Sequence, residues 1–504
     1  MRRNKKPHSP KLLFVNSVDD PQQARLKNRR LVHSHVSQYR WKRSREAVPS
    51  NANTRVSGQA EEQHHDPRIV GSPGLTRFLS DQTQDPILSY SDPFFPTQQA
   101  LNAMSYVSQT MLPGLFLHEK IGQAWVPAAV SDPVLFSACM YGAVVHMLRR
   151  LDGHSAESDQ RAVWQINNET IRRLHRILDD HARATSDGAI FTVLALAYSA
   201  QLQAAPLNTD PHPRRPLQDL QWLTVYSSLP TNLLHVQGLE TLVGMRGGLD
   251  QIALPGLASL LSYLCMLRAS RTLAKPVLPI VPLSDDAHQK LEEMMMTGGH
   301  PSSIHPHILN NELFPRMPPN FLQILTQIHQ YNEMLAHYLG GSIGAPKMTE
   351  FADQRNWIQR AILALPWSDE VEITADTTFS RFEHEMVRVS LLLYSFLVVF
   401  PIPFAYGPYD RVLGMLKNIL LDEAGLNLLP QSMLLWAVSL GAITSESIAS
   451  DDAWFVVKLR ELTSQGGVMA SWNEYKLAVR SVLWQDSVLD PFMQRIWLSH
   501  ILVF

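Results

Sequence analysis

Charge in this chain is sorted to one end. Residues 1–46 hold thirteen Lys/Arg against three acids, a net +10, while the whole chain is −2, so the other 458 residues carry −12. Apolar residues are sparse in the basic segment, so a helix there is marginal in isolation and forms on binding. A cationic arm on an acidic body therefore predicts two tasks. The arm meets a polyanion or an acidic receptor groove, and the body does something else.

The body has the composition of a large core. Charged residues make up 18% of the chain, against roughly 25% in an average soluble protein. Low charge with 45% hydrophobic residues predicts much buried apolar area. The two cysteines, Cys139 and Cys265, lie in apolar runs and read as small buried hydrophobes of a reducing compartment. The most apolar runs (134–148, 189–200 and 391–400) are shorter than the roughly 18–20 residues of a membrane span. The start is charged, with no apolar stretch of signal-peptide length. The expectation is a protein that stays inside the cell and does not span a membrane.

Three regions follow. Residues 1–46 form the basic arm. Residues 47–96, rich in Ser, Gln, Asp, Gly and Pro, form a disordered linker. Residues 97–504 form an all-α domain, either a large helical bundle or an irregular solenoid of helix pairs. One segment carries every signal of a helix. Asp132 suits an N-cap and Pro133 the first helical position. Val134, Leu135, Ala138, Tyr141, Val145 and Leu148 recur at three- and four-residue steps, Arg149 and Arg150 suit the dipole of the last turn, and Gly153 stops it. A second helix over 159–181 has the stripe Val163, Ile166, Thr170, Leu174 and Ile177, with Arg172, Arg173 and Arg176 on the wet side. Ser186 caps a third over 188–204 that is apolar nearly all round and belongs in the middle of the core. After a Pro-broken loop at 205–217, helices are predicted at 218–225, 231–246, 257–273, 284–296, 320–339, 349–365, 379–400, 409–422, 431–444, 451–464 and 471–482. No strand alternation is sustained.

Catalytic and cofactor motifs do not stand out. There is no Gly-rich phosphate loop, no dinucleotide fingerprint, no nucleophile elbow and no His-Glu-x-x-His. His300, His305 and His307 share a Pro-containing loop, and His33 and His35 sit in the arm, both without metal-site spacing. Asp285-Asp286 and Asp451-Asp452 fall at helix starts, where carboxylates favour the backbone dipole. No catalytic residue, metal or cofactor is expected.

The arm is more informative. Arg29-Arg30, then eleven residues, then Lys42-Arg43-Ser44-Arg45 is the layout of a two-part nuclear import signal. Two cationic clusters on one tether can occupy two acidic pockets of an import receptor. The same cations, with Arg40, can neutralise phosphates, and Tyr39 and Trp41 between them can stack on bases. The candidate residues for import or nucleic-acid contact are Arg29, Arg30, Arg40, Lys42, Arg43 and Arg45.

Residues 231–250 read TNLLHVQGLETLVGMRGGLD. A His, then Leu-x-x-Leu-Val, then Arg-Gly-Gly-Leu, resembles the regulatory domain of fungal-specific transcription factors. Leu239, Leu242 and Val243 form one helical face, and Gly247-Gly248 stops the helix. Leu434-Leu435-Trp436 with Gly441, then Trp454-Phe455, then Trp472, Val482-Leu483-Trp484 and Trp497, are similar to later stretches of that family. The region from Phe14-Val15-Asn16 through Val32-His33-Ser34-His35-Val36 into Arg40, Lys42 and Arg43 resembles the opening of a subgroup carrying this domain.

The resemblance implies an all-helical fold and transcriptional regulation in the nucleus, often with self-association. The partners it implies are an import receptor, other transcription regulators, a second copy of the chain and, through the arm, DNA. One departure is large. Many members bind DNA with a zinc binuclear cluster of six cysteines, and this sequence has no cysteine before Cys139, so that cluster cannot form here. Two other classes stay open: a helical enzyme with an unrecognised pocket, and a cytoplasmic scaffold whose arm binds RNA or acidic membrane.

Overall fold

Asp132 starts a helix as its neighbours predict: its carboxylate accepts from the Val134 N–H at 2.8 Å, ahead of Pro133. The computed structural model describes residues 94–95, 97–118, 121–150, 157–198, 214–283, 316–341, 346–371, 379–450, 452–464 and 471–501. The basic arm, the linker up to residue 93, Gly153, the predicted helix at 284–296 and the loop of His300, His305 and His307 lie outside them.

The described residues are all-α. α1 (Thr97–Tyr106) passes through a π-helical stretch, Val107–Met111, into α2 (Leu112–Phe116). Then come α3 (Ile121–Ser131), α4 (Pro133–Arg150), α5 (Glu157–Ile177), the single turn α6 (His181–Ala184) and α7 (Asp187–Ala197). A 3₁₀ turn, Leu220–Trp222, opens α8 (Leu223–Ser228). α9 (Leu233–Arg246) and α10 (Leu257–Thr272) complete the first half. The second half holds α11 (Pro319–Leu339), α12 (Met348–Ala364), α13 (Arg381–Tyr394) with a π-helical end at Ser395–Val399, and α14 (Tyr409–Leu420). After the turn α15 (Glu423–Leu426) come α16 (Gln431–Ser447), α17 (Trp454–Ser464), α18 (Trp472–Arg480) and α19 (Asp486–Ile496), which runs into a π-helical Trp497–Ile501. Among the described residues only an isolated bridge, Tyr198 to Thr231, pairs backbone outside helices in the manner of a sheet. None of the described helices is long and apolar enough to cross a membrane.

Apolar periodicity explains the packing. α7, buried along nearly its whole length, is covered by α4, α5 and α9. α13 from Met386 onward and its π-helical end are buried and lie against α12, α14 and α16. One hydrophobic cluster extends from Phe95 to Trp497. Phe95, assigned to the linker by composition, is 3% exposed and packs edge-on against Phe136. The core therefore begins before residue 97.

The predicted helix starts hold where caps were recognised. Ser186 accepts from the Ala189 N–H at 3.2 Å, and Asp452 accepts from the Trp454 N–H at 3.0 Å. At the other end of α9, Gly247 sits at φ 101°, open to glycine without strain, and the Gly248 N–H reaches back to the Val243 carbonyl at 2.9 Å. Arg149 lies in the last turn of α4 as expected, although it is 6% exposed, while Arg173, expected on the wet side, is 8% exposed. The structure adds α3 and α19, each with a proline inside, Pro127 and Pro491, although an internal proline removes a helix hydrogen bond.

The later motifs of the family-like pattern meet in space. A Cβ at Gly441 on α16 would overlap the ring of Phe455 on α17, and Trp472 packs edge-on against Trp497 at 5.5 Å. Gly441→Ala should therefore force a buried ring to move. We expect it to cost about 1–3 kcal/mol in urea denaturation, with part recovered when Phe455→Leu is added.

Candidate functional site

Arg29, Arg30, Arg40, Lys42, Arg43 and Arg45 lie outside the described residues, as do His33 and His35. Within the described residues the polar groups converge elsewhere, on the segment from Arg215 to Trp222. Its spacing predicts a helix over 218–225, but Leu217, Gln221 and Trp222 take φ values of 55°, 53° and 54°. Each left-handed non-glycine residue costs roughly 1–2 kcal/mol, so surrounding contacts must hold this turn.

Those contacts reach into both halves. The Trp222 indole N–H donates to the carbonyl of Met111, the last residue of the first π-helical stretch, at 3.1 Å. The Gln221 amide donates to the Leu115 carbonyl at 3.2 Å, and its Oε1 accepts from Arg355 Nη2 at 2.8 Å and Asn356 Nδ2 at 2.9 Å. Arg355 is fully buried, donates also to the Leu220 carbonyl, and lies 5.0 Å from the Phe400 ring centre. Burial pulls its pKa below the usual guanidinium value, and the acceptors around it compensate the desolvated charge.

Arg215 does the same in the second half. Its Nη1 donates to the Phe396 carbonyl at 2.8 Å and the Tyr409 hydroxyl at 3.1 Å, and its Nη2 to the Ile402 carbonyl at 2.5 Å. Its guanidinium stacks 4.2 Å from the Phe404 ring centre, a favourable cation–π geometry. Phe396 lies inside the π-helical stretch Ser395–Val399, so side chains of one strained segment bond carbonyls in or at the end of two irregular helices. Arg149 adds a further tie, donating to Ser228 Oγ and to the Tyr406 hydroxyl, both at 2.6 Å.

His146 lies beside this seam. Its Nδ1 is 2.8 Å from the Tyr106 hydroxyl, and its ring meets Trp222 edge-on at 5.0 Å. Nε2 is buried without a partner. Burial first, then the Arg150 charge, lowers its pKa to about 3, so the ring is neutral. The Cys139 thiol, fully buried on α4, is pushed well up by burial and by the Asp132 charge. Among the described residues no three His, Cys, Asp or Glu are grouped to hold a metal ion.

The family-like segment also has local duties. His235 Nδ1, as its protonated tautomer, donates to the Leu196 carbonyl at the end of α7 at 2.9 Å. Arg246 holds the following turn through the Gln251 carbonyl at 3.0 Å and Asp187 at 3.4 Å. Leu239, Leu242 and Val243 are buried. The arrangement is a clamp of cations on carbonyls and aromatic rings. Of its members only Arg355 carries a signal in the sequence: it falls on the stripe of Phe351, Ile358 and Ile362, where an ordinary surface arginine has no place. Compared with models of protein families, with curated proteins and with solved structures, the chain matches none.

Two outcomes test the clamp. Arg355→Met should lower unfolding free energy by about 1–3 kcal/mol in chemical denaturation, because it leaves the Leu220 carbonyl and Gln221 Oε1 short of a donor, and Arg355→Lys should not restore it, because an ammonium lacks the fork that meets two acceptors. His146 has a folded pKa below its unfolded value of roughly 6.5. The unfolded chain therefore binds the extra proton between those values. The resulting stability is complete above pH ~6.5 and falls by about 1.4 kcal/mol per pH unit on acidification toward the folded pKa. His146→Gln should remove that share of the slope in denaturation curves recorded from neutral to acid pH.

Proposed function

We propose that this chain is a nuclear transcriptional regulator of the fungal-specific transcription-factor type. It acts through its helical body, with no zinc binuclear cluster in these residues. The observation that carries the reading is the pairing of Arg29-Arg30 with Lys42-Arg43-Ser44-Arg45 on a +10 arm ahead of a −12 remainder. Two clusters of one sign on a tether match an import receptor with two acidic pockets, and the affinity of such a pair exceeds that of either cluster alone. The all-α body is compatible with the regulatory-domain likeness. A helical body of this kind offers surfaces to other regulators or to a second copy, and Arg40 with the same cations offers phosphate contacts to DNA.

Import is tested by replacing Arg29, Arg30, Lys42, Arg43 and Arg45 together with Ala. Imaging of the full chain in cells should show a shift from nucleus to cytoplasm, with the melting temperature of the body unchanged. Unaltered nuclear accumulation would overturn the import role. Chromatin occupancy of the intact chain should exceed that of a chain lacking residues 1–46, and equal occupancy would remove the arm from the regulatory step.

A further inference from the structure

A cleft of about 230 Å³ opens between α16 and the C-terminal run of α19 into Trp497–Ile501. Ile443, Phe492 and Ile496 make its apolar floor, and Glu446, Arg495, Ser499 and His500 supply its polar lining. The two full charges are opposite in sign, yet they do not close on each other. Among the described residues the Arg495 guanidinium has the Phe492 ring as its neighbour, 5.3 Å from the ring centre, and no carboxylate within ion-pair distance. The Glu446 carboxylate has His500 Nε2 at 3.6 Å, beyond the range of a hydrogen bond. The Ser447 hydroxyl is directed to the Ile443 carbonyl at 2.7 Å, and Arg460 donates to the His500 carbonyl at 2.8 Å. Neither group neutralises the cleft's charges.

An acid and a base held apart over an apolar floor suit a molecule with both charges and an apolar tail. A single anion would meet repulsion from Glu446, and a single cation from Arg495. At roughly 30 Å³ per water, the cleft has the volume of about seven or eight waters. That is below the 300–1,000 Å³ of drug-sized pockets. We propose that it binds a free α-amino acid with an apolar side chain. The carboxylate pairs with Arg495, where a guanidinium can donate two parallel bonds, and the ammonium pairs with Glu446. The side chain lies on Ile443, Phe492 and Ile496.

The site also touches the clamp. Phe492 packs edge-on against Phe404, their ring centres 6.4 Å apart, and Arg215 stacks on the other partner of that pair, Phe404. A ligand seated on Phe492 is thus one aromatic ring from the cation that ties the two halves together. This site is independent of the import reading and stands or falls without it.

The test titrates the full chain with L-leucine, L-leucinamide and 4-methylpentanoate by calorimetry and ligand-observed NMR. Leucine should bind at least about tenfold more tightly than either analogue, each of which lacks one charge-assisted contact. Arg495→Gln and Glu446→Gln, both at exposed positions, should each weaken leucine by about tenfold with no change in melting temperature. The proposal is overturned if leucine fails to bind at roughly 10 mM, if 4-methylpentanoate binds as well as leucine, or if either variant retains full affinity.

Discussion

A buried guanidinium must find acceptors or unfold its surroundings, and this body is arranged around that demand. Arg215 and Arg355 lie inside the protein with backbone carbonyls, a tyrosine hydroxyl and a glutamine side chain as their hydrogen-bond partners. Carbonyls become available where helical pairing is irregular, as it is at the end of Val107–Met111 and within Ser395–Val399. The irregular helix at Ser395–Val399 and buried Arg215 satisfy one another, while the end of Val107–Met111 is met by the Trp222 indole. Each alone leaves polar groups unsatisfied at a cost of a few kcal/mol. The strain at Gln221 and Trp222 persists because both side chains are bound to this network.

Much of the architecture was legible because it depends on local rules. Asp132-Pro133, Ser186 and Gly247-Gly248 declare helix ends by capping chemistry, and the stripe Val163, Thr170, Leu174 and Ile177 declares which face is buried. Three things were not legible, each for a physical reason. Proline inside α3 and α19 speaks against helix when local rules are applied alone. The left-handed turn at Gln221-Trp222 is paid for by partners more than a hundred residues away. The cations of the clamp carry the same letters as surface cations, and only distant carbonyls distinguish them. The cleft behind Phe492 is less visible still, since Glu446 and Arg495 belong to different helices.

The family-like pattern gains a physical meaning from these contacts. Gly441 with Phe455, Trp472 with Trp497, and His235 with the end of α7 are pairs that let helices approach, cross or end. A likeness built on such pairs follows the demands of packing. It speaks directly to architecture.

Cys139 offers a consequence of its own. Its sulfur sits on α4, fully enclosed and held protonated. A thiol in that state is a poor nucleophile. Alkylation there must wait for the α4 environment to open, so the rate at which an added alkylating reagent labels it times the breathing of the innermost helices.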